Sequence, residues 1–304
     1  MAFTAKDVQL LRERTGVGMM DCKKALAASD GDMEKAIDFL REKGLAAAAK
    51  KSGRIASEGV VYAYNDEAAK TAVLVEVNSE TDFVAKNDKF IAFVEDVAKT
   101  IVAANPADVD ALLNCTIVGS DETVLASLQD KILTIGENIK IRRFIRVEGI
   151  AATYVHGGGR IGVLVEFDTD DATAANASFK ELGKDVAMQI AAINPLFLNK
   201  ESVPAETLEK EKAILTEQVL NEGKPAAIAD KIVMGKIAKY YKENCLVEQA
   251  FVKNGDVTVG QHVAATAKEI GTAITVKGFF RFERGEGLEK KADNFADEVA
   301  SMIK

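Results

Sequence analysis

The sequence predicts an α+β protein in which a three-helix N-terminal module precedes a pseudo-symmetric core of two similar halves. Three observations predict this. Apolar residues recur at helical spacing in the first segment, and from Gly59 onward their spacing changes to the period of two that is typical of strands. About 90 residues after the first hairpin, the same order of hairpin, helices and closing strand returns.

Composition narrows the classes of function. The chain has 304 residues, enough for two or three domains, of which 48% are apolar and 28% charged. Its net charge of −8, with few aromatic residues, argues against nucleic acid as the main partner, because phosphate binding needs a basic face. We find no stretch long enough to span a membrane and no signal peptide after Met1. Three widely spaced cysteines form no disulfide or zinc pattern, so we expect a cytoplasmic protein.

The N-terminal module is predicted to span residues 1–50. Thr4, Asp21 and Asp32 are expected N-caps of three short helices, the second of them starting at Cys22. Gly44 is expected to close the third helix. The basic segment that follows has no apolar face, and we predict a linker at residues 51–58.

The first half of the core is predicted at residues 59–149. Val60–Tyr64 and Thr71–Val77 form a hairpin, and a helix begins near Lys89. An apolar strand studded with arginines, Ile139–Gly149, closes this half.

The second half is predicted at residues 150–284. Its strand Val163–Glu166 copies Val73–Glu76, with a hairpin turn at His156–Arg160 before it. An inserted antiparallel helical hairpin is expected at residues 204–245. The hairpin contact is predicted to use Leu208, Leu215, Val219, Ile228, Ile232, Val233 and Ile237. A C-terminal helical module, residues 285–304, would place Phe295, Val299 and Met302 on one side.

Between the two halves, one difference stands out. The first strand of the repeat runs into Asn78–Asn87, which offers Asp82 beside Phe83, whereas the second copy reads Asp168–Ala172 and has no aromatic residue there. Two interpretations remain open. Phe83 could pack beneath its own helix, which would stabilise the fold by about 1.5–3 kcal/mol. Alternatively it is a presented wedge, and an anchor of that kind contributes about 2–4 kcal/mol to binding.

Other candidate residues carry weaker signals. Of Met19 and Met20 we expect one in the core and one exposed, either incidentally or as an adaptable contact to a partner. The Gly157–Gly159 run lacks the lysine and the helix of a phosphate loop, so a flexible turn is the better interpretation. Signatures of hydrolases, zinc proteases and P-loop enzymes are absent, and neither His156 nor His262 has a nucleophile beside it. We therefore predict no enzyme activity, no cofactor and no metal site.

Several motifs together carry a resemblance. Arg12–Leu26 and Thr81–Lys86 resemble the two signature stretches of the bacterial elongation factor Ts family, and Gly278–Glu283 and the segment His156–Val165 agree with it. The likeness covers essentially the whole chain.

The resemblance implies a guanine nucleotide exchange factor for the GTPase elongation factor Tu, without nucleotide binding by the chain itself. It implies a ubiquitin-associated-like N-terminal module, a protruding coiled coil and a C-terminal helix. The residues that it places in contact with the GTPase are Arg12, Met19, Met20, Asp82, Phe83, Val84, His156 and Gly157. Among these, Asp82 and Phe83 would disturb the magnesium and phosphate site of the partner.

Two other classes stay open. A non-exchanging adaptor would bind its partner mainly through the three-helix module and leave the Asp82–Phe83 loop silent. An acyl or phosphoryl transferase is supported only by glycine turns of unassigned role.

Overall fold

The computed structural model describes residues 3–223 and 225–290, and the predicted C-terminal helix with Phe295, Val299 and Met302 lies outside these residues. The N-terminal unit consists of α1 (Ala5–Thr15), α2 (Met19–Ala28) and α3 (Met33–Lys51). Its core is made of buried residues from all three helices and the first turn: Val8, Leu11, Val17, Cys22, Ala25, Leu26, Ala36 and Leu40.

Two of the three predicted N-caps are confirmed. The Thr4 side chain accepts a hydrogen bond from the Asp7 backbone, and the Asp7 carboxylate accepts one in return from the Thr4 backbone. Asp32 accepts from the first backbone N–H groups of α3. The prediction for Asp21 is wrong, because α2 begins at Met19, three residues before the predicted start at Cys22. Asp21 lies in the first turn of α2, where its carboxylate pairs with Lys43 of α3.

The first half of the core contains one three-stranded antiparallel sheet and four helices. In chain order these are β1 (Glu58–Asp66), β2 (Thr71–Ser79), α4 (Asp82–Ala85), α5 (Asp88–Ala104), α6 (Val109–Leu113), α7 (Val124–Ile135) and β3 (Lys140–Glu148). The strand order is β1-β2-β3, so that β2, buried along its whole length, lies in the centre.

The second half repeats this plan and adds an insertion. Its elements are β4 (Ile150–His156), β5 (Ile161–Asp168), α8 (Asp171–Ala174), α9 (Ala177–Ile193), α10 (Ala205–Asn221), α11 (Ala226–Asn244), β6 (Ala250–Phe251), β7 (Asn254–Thr258), α12 (Val259–Ile270) and β8 (Thr275–Glu283). The sheet order β4-β5-β8 matches the order of the first half.

The predicted pseudo-symmetry extends to irregular features. The central strand of each sheet shifts register against its closing strand at corresponding places, after Glu76 in the first half and after Glu166 in the second. Each long helix that follows ends at an asparagine in the left-handed conformation, Asn105 at φ 47° and Asn194 at φ 53°. The two halves therefore share backbone geometry as well as element order.

The third helix runs further than predicted. Gly44 does not close α3, because it packs within the helix against α7, where an added Cβ would lie 3.6 Å from the Gln129 carbonyl oxygen. Glycine in a helix interior is unfavourable by about 1 kcal/mol relative to alanine. An added Cβ at Gly44 would make only ordinary van der Waals contacts with α7. Ala48 packs against the core of the first half, so the segment predicted as a connector without an apolar face is helical up to Lys51. The division of the chain into domains stays a prediction.

The two sheets pack face to face through Val61, Ala72, Leu74, Leu164 and Phe282, while α5 and α9 cover their outer faces. At Gly162, on β5, the two sheets approach closely. A Cβ at this position would lie 2.4 Å from Val61 Cγ1 and 2.7 Å from Leu74 Cδ1. The close approach therefore requires glycine on β5.

Substitution of Gly162 tests this packing. We expect Gly162→Ala to lower the free energy of unfolding by about 1–3 kcal/mol, because the buried methyl groups it meets have little room to move. Gly278→Ala is the matched control, since Gly278 lies in the same sheet with no atom within 4 Å of an added Cβ. Urea unfolding of both variants measures the difference, and equal stabilities would contradict the close sheet contact.

The inserted helices α10 and α11 form the predicted hairpin. Their contact is built on Val219, Ala229, Val233 and Ile237, with Leu208, Leu215 and Ile232 beside it. The prediction for Ile228 is wrong: its side chain is 46% exposed. Neighbouring helix positions point about 100° apart, and Ala229 takes the inward one. The coiled-coil packing of this hairpin and the ubiquitin-associated-like character of the N-terminal unit stay predictions. Across residues 3–223 and 225–290, every helix is too short or too polar to cross a membrane.

Candidate functional site

Phe83 points out of the molecule. It lies in the single-turn helix α4, directly after the end of β2, and its side chain is 81% exposed, the largest exposure of any large apolar residue in the described chain. The next two residues, Val84 and Ala85, pack into the core of the first half. Successive helix residues point about 100° apart. With Val84 and Ala85 directed into the core, Phe83 is therefore directed into solvent.

This placement excludes one of the two interpretations of the ring. The expectation that Phe83 packs beneath its own helix is wrong, and the outward orientation required by a wedge is observed. Val84 is only 8% exposed, so the structure places it as an anchor of the loop, without a side chain free to contact a partner.

The second half supplies an internal comparison. Helix α8 has the same length and position in the repeat as α4, and an exposed alanine, Ala172, occupies the place of Phe83. The scaffold thus forms this turn without an aromatic residue. The ring of Phe83 is an addition to the repeat that contributes nothing to the described core.

Asp82 provides the charge beside the ring. Its side chain is half exposed, and its carboxylate accepts a hydrogen bond from Lys86 at 2.8 Å, one helical turn later. That hydrogen bond holds the pKa of Asp82 below its ordinary value. At neutral pH the loop therefore presents an ionised carboxylate next to an exposed phenyl ring.

The base of the loop is fixed by a residue that the sequence analysis missed. The carboxylate of Glu137, in the turn between α7 and β3, accepts hydrogen bonds from the backbone N–H groups of Glu80 and Thr81, both at 3.0 Å, and from the Thr81 hydroxyl at 2.6 Å. In return, the Glu80 carboxylate accepts from the Asn138 backbone at 2.6 Å. These residues are 56–58 positions apart, and only the turn sequence Gly136-Glu137-Asn138 hinted at a structured contact.

The N-terminal unit contributes a second exposed apolar surface. Met19 is 42% and Met20 62% exposed, so the expectation that one of them is buried is wrong. Val17 and Cys22 already fill the inward positions around this turn. Arg12 on α1 is also exposed.

The end of α1 lies beside α5, the helix that follows the Phe83 loop. A cleft of about 440 Å³ is lined by Thr15 and Gly16, at the end of α1, and by Lys89 and Phe93 of α5. Helix α5 starts only three residues after α4 ends. The Thr15–Gly16 turn and the Phe83 loop therefore both lie next to α5.

His156 is the last residue of β4, and Gly157 begins the turn to β5. Both are exposed, and the His156 ring is 3.1 Å from the Tyr154 hydroxyl. Gly157, Gly158 and Gly159 all have positive φ, between 60° and 92°, which explains the glycine run as a left-handed turn.

The same turn is attached to the first half of the core. The Gly159 carbonyl accepts from the Val61 backbone at 2.8 Å, close to the start of β1. Glu58, at that start, pairs with Ser79 at the end of β2. The structure thus brings the His156 turn and the Phe83 loop to the same end of the two packed sheets.

Comparisons with known proteins agree over the whole chain. The family model for elongation factor TS matches residues 80–286, a range that includes the Phe83 loop, the Glu137 turn and the His156 turn. Curated elongation factor Ts proteins extend the likeness to both ends. Those of Clostridium kluyveri (strain ATCC 8527), Clostridium botulinum (strain Eklund 17B) and Clostridium perfringens (strain SM101) are each 53% identical to the chain, with 99% of each sequence covered. The chain therefore belongs to the elongation factor Ts family of translation elongation factors.

Proposed function

We propose that the protein is the guanine nucleotide exchange factor of elongation factor Tu. It binds the GDP form of that GTPase, perturbs the magnesium and phosphate site with the Asp82–Phe83 loop, and promotes GDP release so that GTP can bind. The observation that carries the proposal is the 81% exposure of Phe83 on an anchored turn, at a place where the second half of the core has alanine.

Exchange requires differential binding and no bond making. The factor must bind the nucleotide-free GTPase more tightly than the GDP form, and linkage then requires GDP to weaken the factor by the same ratio. Each tenfold loosening of GDP corresponds to about 1.4 kcal/mol of differential contact energy. An apolar ring that enters a pocket formed only when the nucleotide site is distorted would supply energy of this kind.

Asp82 acts on the ions of the same site. Mg²⁺ binds oxygen ligands, and a carboxylate near it competes for the metal or repels the phosphates that share it. The hydrogen bond from Lys86 keeps Asp82 ionised before docking. Phe83 would thus displace protein elements of the partner while Asp82 weakens the attraction between metal and phosphate.

The remaining candidate residues would hold the two proteins together. Arg12, Met19 and Met20 would contact the nucleotide-binding domain of the GTPase, and His156 with Gly157 would contact its third domain. Methionine side chains suit such a surface because they are apolar and adaptable. All of these residues are exposed in the free protein. We place the interaction in the cytoplasm, in keeping with the free thiols of Cys22, Cys115 and Cys245.

The function is tested with elongation factor Tu loaded with fluorescent GDP and chased with excess GTP. We expect substoichiometric amounts of the protein to accelerate fluorescence loss, because one molecule acts on many GTPases in turn. Incubation of the protein with fluorescent GDP alone should give no binding signal. A release rate that does not depend on the concentration of the protein would contradict the exchange function.

One observation favours the adaptor as a second candidate, namely the exposed methionine pair on the N-terminal unit. The double substitution Met19→Ala, Met20→Ala separates the two functions. For an exchange factor we expect the concentration giving half-maximal release to rise about tenfold, the loss of roughly 1.4 kcal/mol of docking energy, with little change in the maximal rate.

The control for this prediction is Met234→Ala on α11, a methionine that is 64% exposed but lies in the inserted hairpin. We expect wild-type release with this variant. An adaptor would instead lose its partner entirely with the Met19, Met20 double variant, and substitution of Phe83 would have no effect on binding or release.

A further inference from the structure

We propose that Glu137 is a positioning residue that holds the Asp82–Phe83 loop in the geometry needed to act on the partner. This inference rests on the exchange function proposed above. It assigns a role to a carboxylate that does not itself reach the exposed tip of the loop and that belongs to a different part of the sequence.

The contacts of Glu137 fix the two residues that lead into α4. Its two carboxylate oxygens accept three hydrogen bonds, from the Glu80 N–H, the Thr81 N–H and the Thr81 hydroxyl. Phe83 follows two residues after Thr81. Hydrogen bonds to an ionised acceptor are stronger than neutral ones, so this contact restrains the loop where its direction is set.

Neighbouring contacts make the attachment reciprocal. The Glu80 carboxylate accepts from the Asn138 backbone and from Arg54, at 2.6 and 3.4 Å. The buried Asn138 side chain in turn donates to the Arg54 carbonyl at 2.8 Å. Three segments distant in sequence are therefore joined under the loop: the residues after α3, the residues before α4 and the turn before β3.

The second half of the core shows what is specific to Glu137. There Asp170 corresponds to Thr81 and Thr272 corresponds to Glu137. The Thr272 hydroxyl donates to the Asp170 carboxylate at 3.1 Å, so the carboxylate is in the loop and the hydroxyl in the turn, the reverse of the first half. Asp170 also accepts from the Thr173 backbone and so caps α8. In contrast, the Thr81 side chain makes no capping hydrogen bond to α4.

The orientation of α4, which carries Phe83, is controlled differently from that of α8. Helix α8 is oriented by its own cap, whereas α4 has no side-chain cap. Besides the packing of Val84 and Ala85, the hydrogen bonds that Glu137 accepts hold the residues leading into α4. A wedge that is already ordered in the free protein loses less conformational entropy when it docks. Removal of the Glu137 side chain should therefore leave Phe83 exposed but its loop less ordered in the free protein.

The test measures release of fluorescent GDP from elongation factor Tu at saturating concentrations of variant proteins. We expect the maximal rate to fall about tenfold for Glu137→Ala and about threefold for Glu137→Gln and for Thr81→Val, which remove fewer of the hydrogen bonds. Thr272→Val is the matched control, because it breaks the corresponding hydrogen bond in the half that has no ring. It should release GDP at the wild-type rate.

A double-mutant cycle distinguishes positioning from a general structural role. If Glu137 acts through the ring, adding Glu137→Ala to Phe83→Ala should change the maximal rate by less than about twofold. The inference would be overturned if the double variant lost the product of the two single-variant rate reductions. A wild-type maximal rate with Glu137→Ala, Glu137→Gln and Thr81→Val would also overturn it. A wild-type protein that fails to accelerate release would instead overturn the proposed function. If circular dichroism shows that Glu137→Ala does not fold, the double-mutant cycle with Phe83→Ala is measured with Glu137→Gln and with Thr81→Val instead.

Discussion

Replacing Phe83 with alanine should slow factor-stimulated release of GDP by about 30-fold, the effect of losing roughly 2 kcal/mol from a buried aromatic contact. The ring is exposed in the free protein and contributes no packing to the core, so the loss falls on the partner complex. Stopped-flow fluorescence with labelled GDP measures the maximal rate and the half-maximal concentration separately. We expect the maximal rate to fall more than docking weakens, because the N-terminal unit and the His156 turn keep their contacts.

We expect the Phe83→Ala variant to fold, because the second half of the core forms the same turn with alanine. Ala172 occupies the position corresponding to Phe83 in a helix of the same length, and the turn forms there. Phe83→Ala should therefore unfold at the same urea concentration as the wild type. An unchanged release rate with a correctly folded variant would contradict the wedge.

The second large effect is expected at Glu76, in the centre of the first sheet. Its carboxylate is fully buried and accepts hydrogen bonds from Arg142 at 3.0 Å, Arg143 at 2.7 Å, Asn78 at 3.1 Å and the Gly285 backbone at 2.8 Å. Glu76→Gln turns an amide toward these donors, takes away the carboxylate partner of Arg142, and leaves Arg143 paired only with Glu286 at 3.2 Å. We expect the free energy of unfolding at pH 7 to fall by about 3–5 kcal/mol, as when one partner of a buried ion pair is removed.

The same carboxylate predicts a dependence of stability on pH. Burial by itself raises the pKa of Glu76, but the hydrogen bonds from Gly285, Asn78, Arg143 and Arg142 outweigh it and hold the pKa below its ordinary value. A depressed pKa in the folded state means that this stabilisation is complete above the unfolded pKa of about 4.3 and is lost as pH falls through the lower folded value. Glu76→Gln should remove that part of the acid slope.

Glu166 provides the control for Glu76. It lies at the corresponding register shift of the second sheet, where it is only half-buried and, within residues 3–223 and 225–290, has no side-chain hydrogen bond. Glu166→Gln should change stability by less than about 0.5 kcal/mol, as is usual for a substitution away from such a network. Urea unfolding of both variants at pH 7 and in the acid range makes the comparison. Equal losses would show that the charge network does not stabilise the fold.

Sequence patterns predicted the core well because its signals are local. Strand periodicity located β1, β2, β4 and β5, and the repeat supplied a second copy of each element to check against. The misplaced ends had tertiary causes. Gly44 lies inside α3 where this helix packs against α7, and the Asp21 carboxylate pairs with Lys43 of α3 instead of capping α2. Ala229 is buried in the hairpin contact and Ile228 is exposed. Helical periodicity does not indicate which of two adjacent apolar residues points inward.

The candidate site was predictable in content but not in orientation. Asp82 and Phe83 could be selected because the repeat lacks an aromatic residue at the same junction. Whether the ring turns inward was left open, since burial and presentation of a phenyl ring have similar energies. The anchoring by Glu137 could not be predicted, because its partners lie more than 50 positions away and hydrogen bonds of this kind leave no periodic signal.

The measurement that tests the central claim most directly is photo-cross-linking from position 83 in the complex with elongation factor Tu. Phe83 would be replaced by p-benzoyl-phenylalanine, and Ala172 in a separate protein as the matched control, since both positions are exposed in corresponding helices. We predict adducts from position 83 to the nucleotide-binding domain of the GTPase, close to its magnesium and phosphate site, and none there from position 172. Adducts from position 83 that form only within its own chain would contradict the account. So would adducts that lie as far from the nucleotide site of the GTPase as those from position 172.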